Sequence, residues 1–195
     1  MKIHYTGGKV SPKLVDDHDR CVALVRSIQS QHQKGNGWID IGYTYAVCPH
    51  RHIFVGRGAH HLPAANGPGL NSGHYAVLAL VGSSGLVKPP PLMLAGIWDA
   101  ITYLRKHGGA GKEIKGHRDG YATECPGPWL TKWIAKGAPK PDLTPKPKPD
   151  PKPEPVPVPE PEPVPEPVPV PEVPAPEVEP VPECPGPDEG EPDDD

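Results

Sequence analysis

Apolar and polar positions along the first two thirds of the chain fall into short, recognisable runs. Ile3-His4-Tyr5 has room only for a short strand, because Thr6-Gly7-Gly8 breaks it. Asp16 or Asp17 can cap a helix in which Cys21, Leu24, Val25 and Ile28 form one stripe at i, i+3, i+4, i+7. Gly35 and Gly37 end it. Tyr43 to Cys48 and Ile53 to Val55 read as two strands joined through Pro49-His50-Arg51-His52, a hairpin. Ala59 to Gly73 is rich in Gly, Pro and Asn and has no period, so it reads as a loop. Tyr75 to Val81 is an unbroken apolar run, the pattern of a strand covered on both faces. After Pro89-Pro90-Pro91, the positions Leu94, Ile97, Trp98, Ile101 and Leu104 mark a second helix that stops at Gly108-Gly109. Ile114-Lys115-Gly116 is a short strand, and Pro126, Trp129, Leu130, Trp133 and Ile134 give a third helix with proline in its first turn. Strands and helices alternate, so the predicted class is α/β, a central mixed β-sheet flanked by helices.

Composition divides the chain in two. From Pro139 onward the sequence is a Pro/Glu/Val/Lys tract holding 23 of the 32 prolines and no aromatic residue. Such a tract cannot bury enough apolar surface to offset the entropy of ordering. The expected organisation is a folded domain over residues 1–137 and an acidic, disordered, polyproline II-like spacer over 138–195. Glu183-Cys-Pro-Gly-Pro187 repeats Glu124-Cys-Pro-Gly-Pro128, but without the Trp and helix pattern that follow the first copy. Charge divides at the same place. Residues 1–138 carry 16 Lys+Arg against 8 Asp+Glu, a net of +8, and residues 139–195 carry 4 Lys against 16 Asp+Glu, a net of −12. A basic domain suits an anionic partner. Neither a basic helix nor an aromatic platform accompanies the charge, so nucleic acid is not expected to be that partner. No run of about 18 apolar residues is present, so no membrane insertion is expected. Met1-Lys2-Ile3-His4 lacks the apolar core of an export signal. The four cysteines are too few and too scattered for a disulfide framework and are expected to be synthesised reduced.

All ten histidines lie in the folded part, which points to metal or acid–base chemistry. His4 sits at a strand end. His117 follows another short strand and leads to Cys125 across a loop. Two imidazoles and a thiolate form a borderline-soft set suited to one Zn²⁺. Three protein ligands leave a fourth tetrahedral position open, the mark of a catalytic rather than a structural site. The plain alternative is a buried Cys and an exposed His, and spacing alone does not choose between them.

Three segments together decide more: Ile3-His4-Tyr5-Thr6-Gly7-Gly8, Trp38-Ile39-Asp40-Ile41-Gly42-Tyr43, and Gly116-His117-Arg118-Asp119 running to Thr123-Glu124-Cys125-Pro126-Gly127. In this order, and with Ile53 to His60 between them, they resemble the N-acetylmuramoyl-L-alanine amidases of the type 2 amidase and peptidoglycan-recognition family, especially actinobacteriophage endolysins. The resemblance covers about residues 1–136. It implies a central mixed sheet with helices around it, and His4, His117 and Cys125 as ligands of one catalytic zinc. It also implies that Tyr43 lies over the metal and helps to hold the developing oxyanion, and that Thr123 occupies a catalytic position that varies among relatives. The implied reaction is hydrolysis of the amide between N-acetylmuramic acid and L-alanine in bacterial peptidoglycan. A monomeric endolysin, held in the host cytoplasm until lysis, is the expected form.

Trp38, Arg57, His60 and His61 are the candidate substrate contacts. Cys48-Pro49-His50-Arg51-His52 reads as a hairpin turn with a core thiol rather than a metal cluster, and Cys21 as a core residue of its helix stripe. His18, His32, His74 and His107 read as surface. His4 lies three residues from the first residue, where chains fray, so its strand is expected to be weakly anchored. Two other functions compete with the hydrolase. One is a peptidoglycan-binding module without catalysis, against which the presence of Cys125 counts. The other is a scaffold whose Pro-rich tail binds partners, against which the tail's acidity and simple repeat count.

Overall fold

The computed structural model describes residues 1–144. From residue 145 onward, the expected disorder and polyproline II character of the tail lie outside the described residues. Seven strands and three helices follow in the order β1 (Lys2–Tyr5), β2 (Lys9–Val10), α1 (His18–Asn36), β3 (Tyr45–Val47), β4 (Ile53–Val55), β5 (Ala76–Ala79), β6 (Ser84–Gly85), α2 (Pro91–His107), β7 (Lys115–Gly116) and α3 (Gly127–Ala135), with a 3₁₀ turn at Pro12–Val15. The main sheet has the order β4-β3-β5-β1-β7. Only the β3–β4 hairpin is antiparallel; the other pairs are parallel. The sheet is therefore mixed, with helices packed against it.

The unbroken apolar run becomes the central strand. All four residues of β5 are 0% exposed, as expected of a strand covered on both faces. Truncating Leu78 to alanine is expected to lower stability by about 2–5 kcal/mol, read as a fall in the urea midpoint at unchanged m-value.

Helix α1 begins where the sequence indicates. The Asp17 side chain accepts from the Asp19 N–H, and Gly37 ends the helix in the left-handed conformation at φ 68°. Helix α2 turns Met93, Leu94, Ile97, Ala100, Ile101 and Leu104 inward and packs on β3, β4 and β5. Gly96 permits this approach: a Cβ there would lie 2.7 Å from Val47 Cγ1 and 3.2 Å from the Arg51 backbone. The packed chain runs slightly beyond position 137. Ala138 is buried, and the Trp98 and Trp133 indole N–H groups donate to the carbonyls of Ala138 and Pro139 at 3.0 and 3.1 Å.

Strand β1 corrects one expectation. It is not a fraying end but an interior strand between β5 and β7, with His4 opposite Leu78 and Ile3 opposite both Val77 and Gly116. The Met1 ammonium donates to the Glu113 carbonyl at 3.0 Å, and the Lys115 N–H donates to the Met1 carbonyl at 3.1 Å. Parallel pairing on both edges and a tied terminus hold His4 in place.

Candidate active site

His4, near the C-terminal end of β1, points into a cleft of about 450 Å³ whose lining includes Trp38, Tyr43, His117, Thr123 and Cys125. His117 lies just beyond β7, and its N–H donates to the Ile3 carbonyl at 3.2 Å, which sets the two histidines side by side. Their ring centroids are 4.6 Å apart. Cys125 closes the group from the turn before α3. The Thr123 hydroxyl accepts from its N–H at 3.2 Å, and its carbonyl accepts from the Arg118 N–H at 2.9 Å. One nitrogen from each ring and the thiol sulfur all lie within 4.8 Å of one another.

The hydrogen bonds assign the ligand atoms. The Asn66 Nδ2 donates to the His74 carbonyl at 2.7 Å, so its Oδ1 is the acceptor that faces His4 Nε2 at 2.9 Å. The His4 proton therefore resides on Nε2, and the Nδ1 lone pair faces Cys125 Sγ at 3.6 Å. His117 Nε2 is buried and has no hydrogen-bond partner. An orphaned nitrogen beside a free imidazole lone pair and a thiol is the donor set of a zinc site, and these residues fit that ion. Burial, before any other cause, holds His4 down to about 3 and also lowers His117, so both rings are neutral ligands at pH 7. Burial likewise pushes the Cys125 thiol up to about 11. Metal uptake must therefore displace its proton.

Tyr43 stands edge-on to His4 with centroids 5.3 Å apart. Burial raises its phenol above the ordinary range, so the hydroxyl stays protonated and able to donate. Trp38 forms one wall, edge-on to His32 at 4.9 Å. His32 is not a surface residue as its sequence context suggests; its Nδ1 accepts from the Gly42 N–H at 3.0 Å at the base of the cleft. Of the two carboxylates in the third motif, Asp119 accepts from the Gly116 N–H at 2.8 Å and is engaged in the turn, whereas Glu124 lines the cleft.

Arg57 is not among the residues that line the cleft. It donates to the carbonyls of Ile41 and Leu62 at 3.1 and 2.7 Å, and its guanidinium lies 6.0 Å from the Trp38 ring centre. His60 and His61 lie elsewhere, on a separate depression of about 330 Å³ shared with His74 and Gly108. There His60 Nε2 contacts the His107 carbonyl at 2.7 Å.

Two residues of the site carry no sequence signal. Tyr121 stacks on His117 with centroids 5.1 Å apart and planes 14° apart. Its ring occupies the space beside Gly67, where a Cβ would come within 2.6 Å. Asn66 is fully buried and orients His4. Both come from segments without period, and only a polar residue with no exposure marks Asn66 out once the fold is known. Asn66→Ala is expected to weaken zinc binding in the cleft by about 10–100-fold, measured by competition with a chromophoric chelator.

No family model matches the sequence. Human N-acetylmuramoyl-L-alanine amidase is 32% identical over 130 residues, which is 65% of this chain and 22% of that protein. Peptidoglycan-recognition protein LB of Drosophila melanogaster is 30% identical over 109 residues, 55% of this chain and 46% of that protein. The chain thus spans less than half the length of either relative. Among solved structures, wild-type Drosophila PGRP-LB matches with a TM-score of 0.59 at 28% identity, over 68% of this chain and 76% of that one.

Proposed function

We propose that this chain, which is similar over part of its length to N-acetylmuramoyl-L-alanine amidases and peptidoglycan-recognition proteins, is a zinc-dependent hydrolase that cuts the amide between N-acetylmuramic acid and L-alanine in bacterial peptidoglycan. The observation that carries this reading is the convergence of His4 Nδ1, His117 Nε2 and Cys125 Sγ at the base of an open cleft. Zinc held by these three atoms would polarise the scissile carbonyl and acidify a water, since a single thiolate leaves the centre a net positive charge.

The chain's own groups do the rest. Asn66 fixes the His4 tautomer, and Tyr121 braces the His117 ring. The protonated Tyr43 hydroxyl donates to the oxygen on which charge develops. Trp38 and Tyr121 offer apolar walls to the lactyl group and the stem peptide. The net +8 of residues 1–138 favours association with an anionic wall. The motif resemblance to actinobacteriophage endolysins supports a monomeric lysis protein that acts on the wall from the host side.

The test is incubation of the full chain with purified cell walls, before and after chelation and again after zinc re-addition. Free L-alanine amino ends should accumulate, cease with the chelator and resume with zinc. Amino ends released at the same rate with the chelator present would refute the zinc reading. Wall binding without any release would make the chain a recognition module.

A further inference from the structure

A second cluster of metal-binding side chains lies outside the cleft and shares no residue with it. His18 and Cys21 stand three apart on the first turn of α1, so they face the same way. Cys48 and His50 come from the end of β3 and the turn that follows. That turn is closed by the Arg51 N–H donating to the Cys48 carbonyl at 3.2 Å, with Arg51 itself at φ 67°. The turn lifts His50 back over Cys48. The four ligand atoms all lie within 4.8 Å of one another. His50 Nδ1 is 3.8 Å from both sulfurs, and His18 Nδ1 is 3.8 Å from Cys48 Sγ.

Tetrahedral zinc with Zn–S of about 2.3 Å and Zn–N of about 2.05 Å requires S···N edges of roughly 3.6 Å. The three recorded edges are within a few tenths of an ångström of that value. Both cysteines are 0% exposed and both are free thiols. The other contacts of Cys21 Sγ are long ones, to the carbonyls of Leu14 and Asp17 at 3.6 and 3.8 Å. His52 and Phe54 pack on the His18 ring at 4.3 and 5.7 Å and restrict its orientation. Two thiolates and two neutral imidazoles also cancel the charge of a divalent ion, which suits a site this enclosed.

We propose that His18, Cys21, Cys48 and His50 bind a second Zn²⁺ as a closed, four-ligand structural site. Sequence reading divides this cluster into a core cysteine, a surface histidine and a hairpin turn; the fold unites them. The site has a use in this architecture. Cys21 is the only fully buried residue of α1, and Leu24, Val25 and Ile28 pack against the core only partly buried. A metal clip between its first turn and the β3–β4 turn closes a loop of more than 20 residues and limits the freedom of the unfolded chain. It also steadies the helix that carries His32 and leads into Trp38, the wall of the cleft.

The full chain, reduced, loaded with zinc and freed of excess metal, should contain two zinc ions per chain. Cys125→Ala and His50→Ala should each contain one. Because His50 is only half-buried, its replacement spares the core if Cys48→Ser fails to fold. Cobalt in place of zinc in Cys125→Ala should show thiolate charge transfer and the strong visible bands of a tetrahedral ion, and chelation of that variant should lower its Tm. One zinc in the parent chain that survives in Cys125→Ala but not in His50→Ala would support this site and remove the cleft reading. A reduced Cys125→Ala chain that takes up no zinc overturns the proposal. So does a Cys21–Cys48 disulfide that resists reductant in the folded protein.

Discussion

Replacing Cys125 with alanine is expected to abolish wall hydrolysis and to remove one zinc from the chain while leaving the fold intact. Cys125 is a buried side chain in the turn before α3, and its sulfur is the one thiolate donor of the His4, His117 and Cys125 group. Without it, two neutral imidazoles remain, too few to retain zinc against dilution. A bound zinc contributes several kcal/mol of transition-state stabilisation, so its loss predicts a fall in kcat/KM on the order of 10³-fold or more. Far-UV circular dichroism and the urea midpoint would verify folding, and metal content would verify the cause. A Cys125→Ala chain that keeps both its metal content and its hydrolytic rate would exclude this residue as a ligand.

Tyr43→Phe separates metal binding from catalysis. The phenylalanine ring retains the edge-on packing against His4, so the zinc content should not change. Only the hydroxyl is lost. Removal of one donor from an oxyanion site costs about 10²–10³-fold in kcat, and KM should stay within a few-fold because the donor acts mainly in the transition state. A raised KM at unchanged kcat would instead make Tyr43 a ground-state contact.

The elements legible in the sequence are those with a period long enough to read. The i, i+3, i+4 stripe of α2, the apolar run of β5 and the Ile53–Val55 strand after a turn each carry their own signal. Two-residue ladders such as Lys9–Val10 with Ser84–Gly85 carry none, because their pairing exists only after distant segments meet. The same holds for β1. Its closeness to the terminus suggests fraying, and only its two parallel neighbours show why it is held. The local motifs contain His4, His117, Cys125 and Tyr43, and the structure brings these four together. Asn66 and Tyr121 lie in Gly-rich segments where no spacing indicates which side chain turns inward. His32 and His18 show the converse error: a histidine amid polar helix residues reads as solvent-facing, but each is turned toward a cluster by the tertiary packing of α1.

Mass spectrometry of a defined muropeptide after incubation with the zinc-loaded chain tests the proposed chemistry most directly. The result that agrees is a matched pair of products, a sugar that retains its lactyl carboxylate and a stem peptide with a free L-alanine amine, formed by the parent chain and not by Cys125→Ala. Cleavage at a glycosidic bond or within the stem peptide, or an intact muropeptide recovered from a chain with its cleft zinc in place, would contradict it.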